Sequence, residues 1–328
     1  MSDASLKNEK KFIQDLKEKE HFHTFFHVTD KSLGVDRNGK TYMSLHLADA
    51  SGTINARVFE RVDELAPTFQ NGDFVKIKGF VQSFQGRLQL IGQDIQKAQP
   101  NEIQVSDLIR SAAGNLDELR DRLMKTVSSL TDNWIRQLLQ VVLTDPNVSS
   151  SLMKAPAAKS IHHAYLGGLL EHIMSIVDVM ESLAKHYPFL KRDLLVFGAI
   201  FHDIGKIYEL SFDAGIHYSD RGRLVGHMAI ACEMIDEKTR EIEGFPSELK
   251  DILKHIVLSH HGKLEYGSPK LPMFPEALVV AMIDDLDSKL NTIFQFLRNE
   301  VKQVPAQEKW SRYHSGLERY FYLDLFRK

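Results

Sequence analysis

The spacing of apolar residues changes once along this chain, and the change demands two differently built parts. From His23 to about Ala98, apolar and polar residues alternate in short segments, as in Thr41-Tyr42-Met43-Ser44-Leu45-His46-Leu47 and Phe74-Val75-Lys76-Ile77-Lys78. Turn-forming strings separate them, among them Asp36-Arg37-Asn38-Gly39-Lys40, Asp49-Ala50-Ser51-Gly52, Asn71-Gly72-Asp73 and Gln85-Gly86-Arg87. Side chains two apart share a strand face, so this pattern predicts half-buried strands joined by tight turns. Five such strands, with one helical insert over residues 62–69, fit a small Greek-key barrel. Beyond Pro100 the period lengthens to that of a helix. Residues 117–130 and 133–143 read as helices of a connector. From Ser160 onward every segment reads as helical: residues 164–186, 192–202, 223–238, 246–259 and 275–296. The expected fold class is therefore multidomain α and β, a five-stranded barrel followed by an all-α domain. The expected divisions are an arm over residues 1–21, the barrel over 22–98, the connector over 99–156 and the all-α domain over 157–328. The arm reads as a short helix or a mobile segment, and the aromatic stretch 313–326 as one that docks back on either domain.

Composition narrows the functional classes. A chain of 328 residues with 43% apolar content suits about two soluble domains. Cys232 is the single cysteine, so neither an internal disulfide nor a thiolate metal cage is available. No apolar run is long enough for a membrane span, and the expected location is the cytoplasm. The net charge of −3 argues against a generally basic nucleic-acid coat but permits a local basic groove. Most of the fifteen histidines fall after Pro156, where metal chemistry would then be sought.

The apolar run Leu194-Leu195-Val196-Phe197-Gly198-Ala199-Ile200-Phe201 leads directly into His202-Asp203-Ile204-Gly205-Lys206. A buried helix ending in His-Asp sets two metal-capable side chains at the edge of a core. Imidazole suits transition metals, and a carboxylate can bridge two ions. Gly205 is expected to stop the helix in a left-handed turn. His172, His227, the pair His260-His261 and Asp284 each lie at an end of, or inside, an apolar helical segment. Singly, each reads as a core or capping residue. Burying so many without partners would cost several kcal/mol apiece, so together they point to a shared metal centre.

Two strings, Leu47-Ala48-Asp49-Ala50-Ser51-Gly52-Thr53-Ile54 and Asn71-Gly72-Asp73-Phe74-Val75-Lys76-Ile77-Lys78-Gly79, resemble the OB-fold family that binds single strands. The order His172, His202-Asp203, His227, His260-His261, Asp284 resembles the HD-domain metal-dependent phosphohydrolases. Residues 162–172, Gly222-Arg223-Leu224-Val225-Gly226-His227, Leu258-Ser259-His260-His261-Gly262 and Ile283-Asp284-Asp285-Leu286-Asp287-Ser288-Lys289 are similar to the YhaM-type 3′-to-5′ exoribonucleases. That family joins an N-terminal OB-fold to an HD domain, and the resemblance spans roughly residues 22–300. Gly267-Ser268-Pro269 stands where the cyclic-dinucleotide branch of HD proteins carries Gly-Tyr-Pro, so that activity is not expected.

The resemblance implies a metal-dependent 3′-5′ exoribonuclease that releases nucleoside 5′-monophosphates from single-stranded RNA, with single-stranded DNA as a second substrate to consider. The alternative is an HD-domain phosphohydrolase of free nucleotides with a regulatory OB-fold. It implies His172, His202, Asp203, His227, His260 and Asp284 as ligands of two divalent ions, with His261 as a further ligand. Manganese leads among the candidate ions, with iron, cobalt, nickel and magnesium as alternatives. Asp203 would bridge the ions, and Lys206 would meet a phosphoryl oxygen as negative charge develops there. Arg223 and His163, next to His162, are weaker candidates for substrate contact. Asp285 and Asp287 would orient ligands or pair with Lys289. On the barrel, Tyr42, Phe59 and Phe84 are candidates for base stacking, and Arg57, Lys76, Lys78 and Arg87 for phosphate contact. The expected partner is single-stranded RNA or DNA, with no membrane; a homo-oligomer is left open.

Overall fold

A computed structural model describes residues 10–36, 38–84, 86–109, 115–158, 165–211 and 216–327. The barrel consists of β1 (His21–Val35), β2 (Thr41–Asp49), β3 (Gly52–Val58), β4 (Phe74–Phe84) and β5 (Arg87–Lys97). These close in the order β1-β2-β3-β5-β4. Closure depends on the length of β1: residues 21–27 pair with β4 and residues 27–35 with β2, with a register shift between Val28 and Asp30. Such an irregularity sharpens the local bend, so one long strand serves two neighbours and leaves no open edge. The alternation in the sequence sorts side chains between inside and outside. Met43, Leu45 and Leu47 are fully buried, while Tyr42, Ser44 and His46 face outward. The expected insert is present as α1 (Val62–Leu65) with a 3-10 turn Ala66–Thr68, and Val62, Leu65 and Phe69 join the barrel core. Within the arm, Ile13–Asp15 form a 3-10 turn and Leu16 enters the same core; Lys10 reaches the buried Asp49 at 3.1 Å.

Four helices follow: α2 (Val105–Leu108), α3 (Leu116–Ser128), α4 (Asn133–Thr144) and α5 (Pro146–Leu152). Asn115, Asp132 and Asp145 each accept hydrogen bonds from the first free N–H groups of the next helix, which explains where α3, α4 and α5 begin. Apolar faces of α3–α5 pack into the same core as the helices beyond residue 168. Those are α6 (Gly168–His186), α7 (Arg192–Phe201), α8 (Lys206–Glu209), α9 (Asp220–Leu224), α10 (His227–Arg240), α11 (Ser247–Ser259) and α12 (Pro275–Gln303).

Three features depart from the reading of the sequence. A two-stranded ribbon, β6 (Leu210–Ser211) and β7 (His217–Tyr218), interrupts the all-helical part. The helix expected over residues 223–238 is split into α9 and α10, because Gly226 adopts φ 78 and redirects the chain. Gly205 is right-handed, with φ −62, and caps α8 instead of forming a left-handed stop. Its lack of a side chain answers a different need, since a Cβ there would collide with the His227 carbonyl oxygen. Residues 313–326 dock on the end of α12, where Leu323 joins Leu297 and Val304, and the buried Glu300 holds Arg312.

The two parts meet through a small apolar cluster of Phe74, Ala98, Leu108, Ile109 and Ile216. Beside it the buried Asp73 carboxylate lies 2.6 Å from Lys97 and 3.2 Å from His217 of the ribbon. Among the described residues no helix is long and apolar enough to cross a membrane.

Candidate metal centre

Helix α7 is buried from Asp193 to Phe201, with Phe197 stacked on Phe201 at 4.8 Å. Such a helix is held by packing on every side, so its C-terminal residues are fixed in position. His202 caps it and Asp203 follows; both are essentially inaccessible, at 0% and 2% exposure. Four other helices point their ligand-capable side chains at this end. His172 comes from the second turn of α6, His227 opens α10, His260 closes α11, and Asp284 comes from α12.

The side chains form two groups around Asp203. In one, ligand-capable atoms of His172, His202, Asp203 and Asp284 lie within 4.8 Å of one another; in the other, so do those of His227, His260 and His261. The Asp203 Oδ2 lies 3.6 Å from His172 Nε2 and 3.5 Å from His202 Nε2. Its Oδ1 lies 3.5 Å from His227 Nε2 and 3.6 Å from His260 Nε2. Asp284 Oδ1 closes the first group at 3.3 Å from His172 Nε2 and 3.6 Å from His202 Nε2. One carboxylate thus faces both groups, one oxygen to each.

The outer ring nitrogens are engaged elsewhere. His202 Nδ1 donates to Gly198 O at 3.0 Å, His260 Nδ1 to Val257 O at 2.7 Å and His261 Nδ1 to Tyr266 O at 2.9 Å. His172 Nδ1 donates to Asp287 at 2.8 Å, and His227 Nδ1 to Glu209 at 3.0 Å. A proton held at each Nδ1 leaves every Nε2 as a lone-pair donor toward the centre, the arrangement typical of metal-binding histidines. The buried atoms Asp203 Oδ1, His227 Nε2 and His260 Nε2 have no hydrogen-bond partner among the described residues. Buried polar atoms without partners are costly, and a cation among these three would satisfy all of them. The donor set of imidazoles and carboxylates fits divalent transition metals.

Electrostatics agree with a site built for positive charge. Burial opposes the charge on Asp203, but Lys206 and His202 outweigh it and hold the carboxyl well below its ordinary range. Asp284 is likewise held low against burial, by His172 and His202. Burial also opposes a charged His172, yet Asp284 and Asp287 raise it to about 9, so a cation bound at its Nε2 would displace a proton held there. Burial pushes His260 down. Lys206 Nζ rests 2.6 Å from Asp203 Oδ2.

Other expected residues fall in various places. Arg223 is exposed on α9. His163 and His162 lie outside the described residues. Asp285 pairs with Lys289 at 2.6 Å, whereas Asp287 orients His172. The barrel candidates do not form one surface. Tyr42 and Phe59 lie 6.1 Å apart with Arg57 5.4 Å above the Tyr42 ring, a cluster on the outer face of β2 and β3. Lys76 lies over Phe25 on the β1–β4 side, next to Lys78 on the same face. Phe84 and Arg87 end the β4–β5 hairpin, with Phe84 exposed. Glu209 was not anticipated. Its carboxylate accepts from both the backbone N–H and Nδ1 of His227. The available signal was a lone acid between Ile207-Tyr208 and Leu210, an apolar setting in which a carboxylate needs a partner.

Comparison with known proteins agrees with this architecture. The family model described as an HD domain matches residues 169–289, and that described as an OB-fold nucleic acid binding domain matches residues 25–98. The chain is 34% identical over 308 residues to a protein of Halalkalibacterium halodurans named 3′-5′ exoribonuclease YhaM, covering 94% of each chain. Among solved structures, the second OB-fold domain of replication protein A from Methanococcus maripaludis matches at 18% identity over 27% of this chain and 95% of that one, with a TM-score of 0.24. The single-stranded DNA binding protein of Thermus aquaticus matches at 15% identity over 24% of this chain and 40% of that one, with a TM-score of 0.23.

Proposed function

Because the chain belongs to the family of the 3′-5′ exoribonuclease YhaM, we propose that it removes nucleotides from the 3′ end of single-stranded RNA in a metal-dependent hydrolysis. The products are nucleoside 5′-monophosphates. The observation that carries this reading is the Asp203 carboxylate, which turns one oxygen to each of two clusters of ligand-capable side chains. In this reading His172, His202, Asp203 and Asp284 hold one divalent ion, and Asp203, His227, His260 and His261 hold a second. When bound, such ions activate water and neutralise charge on a phosphoryl oxygen. Manganese is the proposed ion, since imidazole–carboxylate sets accept it along with iron, cobalt and nickel.

The chain's own groups supply orientation and charge. Asp287 and Glu209 hold the His172 and His227 rings with their Nε2 atoms inward. Lys206 is fixed by Asp203 and keeps further N–H groups for a non-bridging phosphoryl oxygen, where charge grows as water adds to phosphorus. The P–O3′ bond breaks, and the departing oxygen takes up a proton. Residues 22–98 grip the strand, with Tyr42 and Phe59 stacking on bases and Arg57 meeting phosphate. Residues 99–156 connect, and residues 157–328 cleave. The proposed location is the cytoplasm, in keeping with a single cysteine.

The test is product analysis on a 5′-labelled oligoribonucleotide with Mn²⁺. A ladder shortening stepwise from the 3′ end is expected. Release of the label first as a mononucleotide, or hydrolysis confined to free nucleotides, would overturn the reading.

A further inference from the structure

Both family matches stop short of the last part of the chain: the OB-fold match ends at residue 98 and the HD match at residue 289. Beyond residue 289, the second half of α12 and the segment docked on it return to the barrel. Between them and the barrel lies a cleft of about 460 Å³. His46, Asn55, Thr53 and Arg87 line it from the barrel; Phe296, Asn299, Lys302 and Arg312 line it from the other side.

We infer that this cleft binds the phosphodiester backbone of the substrate strand, so that residues 290–327 form the second wall of the RNA grip. The inference rests on the proposal that the substrate is single-stranded RNA. Three observations carry it. The first is continuity. His46 and Asn55 face each other across β2 and β3; two residues further along the same outer face stand Ser44 and Arg57. Tyr42 and Phe59 come next on that face. Strand residues two apart share a face, so the aromatic patch runs directly into the cleft.

The second is charge. Arg87, Lys302 and Arg312 line the cleft, and among the described residues no carboxylate does. In a protein of net charge −3, such a grouping is a local reversal of sign. Glu300 pairs with Arg312 from a fully buried position, through Nε at 2.8 Å and one terminal nitrogen at 2.7 Å. The guanidinium is thereby fixed in place, and its other terminal nitrogen remains for a phosphate. Lys302 is exposed. The third is the set of neutral partners. The His46 imidazole, exposed on the outer face of β2, stands with Asn55, Asn299 and Thr53 to offer donors and acceptors to sugar or base edges, and Phe296, packed edge-on against His314, lines the cleft beside them. The volume lies within the range of small-ligand sites, enough for a short part of a strand.

The test uses the full chain without added metal, so that binding is read without hydrolysis. Affinity for a fluorescent oligoribonucleotide of about 16 nucleotides is measured across a salt series. Lys302→Glu should weaken binding on the order of tenfold. Lys302→Ala should lower the magnitude of the salt slope by about 0.7, the loss of one phosphate contact on a single strand. Lys302→Arg should bind as the native protein does. A strand carrying 4-thiouridine should photocrosslink to peptides from residues 290–315 as well as to peptides from the barrel. Wild-type affinity and slope in Lys302→Glu, with crosslinks confined to the barrel, would overturn the cleft assignment while the wild type still degrades RNA. A wild type that neither binds nor degrades RNA would instead overturn the underlying reading, and the cleft with it. Uridine 5′-monophosphate that binds as tightly as the strand, and loses binding in Lys302→Glu, would overturn the strand in favour of a free-nucleotide site.

Discussion

Replacing Glu209 tests whether the centre depends on groups that never face its middle. Glu209 is 8% exposed, and its carboxylate accepts two hydrogen bonds of 3.0 Å from His227, one from the backbone N–H and one from Nδ1. Burial opposes its charge, but the His227 contacts keep its carboxyl below the ordinary range, so it is ionised at neutral pH. Glu209→Ala strands both donors in a buried setting, at a cost of about 1–3 kcal/mol each. The His227 ring is then free to turn, and its Nε2 leaves the position 3.5 Å from Asp203. Loss of such an outer partner lowers metal affinity or activity by about 10–100-fold. Glu209→Ala belongs at the upper end of that range, since the one oxygen that accepts both hydrogen bonds is lost. Glu209→Gln belongs at the lower end, because the amide oxygen still accepts while the charge that makes His227 a stronger donor is gone. The assay is metal content by mass spectrometry after dialysis against Mn²⁺, beside initial rates on a 5′-labelled oligoribonucleotide and a melting curve for each variant. Glu209→Ala with native metal content and a rate within about twofold of wild type would refute the reasoning, since a fall well beyond that is required.

Other perturbations test the same geometry. Asp203→Asn should abolish hydrolysis and lower metal content while keeping a folded protein; Asp203→Ala is the poorer test, because it also removes the oxygen that accepts from Lys206 and leaves a void where the side chain stood. Gly205→Ala forces a methyl group into the His227 carbonyl, so a stability loss of about 1–3 kcal/mol by urea titration should accompany a larger fall in rate; native activity would refute the close approach. At Asp73, burial works against the charge, but His217 and Lys97 lower the folded-state value to about 2, below that of the unfolded chain. Its contribution, on the order of 1 kcal/mol once screening at the half-exposed Lys97 is allowed for, is therefore present above roughly pH 4 and lost as pH falls toward 2, and Asp73→Asn should flatten the acid limb of stability against pH. Tyr42→Ala and Phe59→Ala should each cost about 1–3 kcal/mol of strand binding by fluorescence anisotropy, and unchanged affinity would remove these rings from the interface.

What the sequence determined by itself is the local and the repetitive. The alternation in Thr41–Asp49 had to become a strand with one buried face, and the unbroken apolar run 194–201 had to become a helix buried all round. His202 and Asp203 then had to stand at that helix's end. The histidines along four helices and Asp284 on a fifth were legible for the same reason, because so many ligand-capable groups in apolar segments call for a shared partner. Tertiary structure decided everything that depends on which elements approach one another. That Asp203 divides its oxygens between two clusters depends on five helix positions and not on any string of residues. Gly205 is required by a carbonyl from another helix, whereas sequence rules for glycine address only its own backbone. Glu209 and Asp287 are single acids until folding brings His227 and His172 against them. The barrel candidates divided in the same way. Strand periodicity states that Tyr42, Arg57 and Lys76 point outward, but closure in the order β1-β2-β3-β5-β4 puts the first two on one side and the third on another. Periodicity is a property of neighbours along the chain, and a site is a property of neighbours across it.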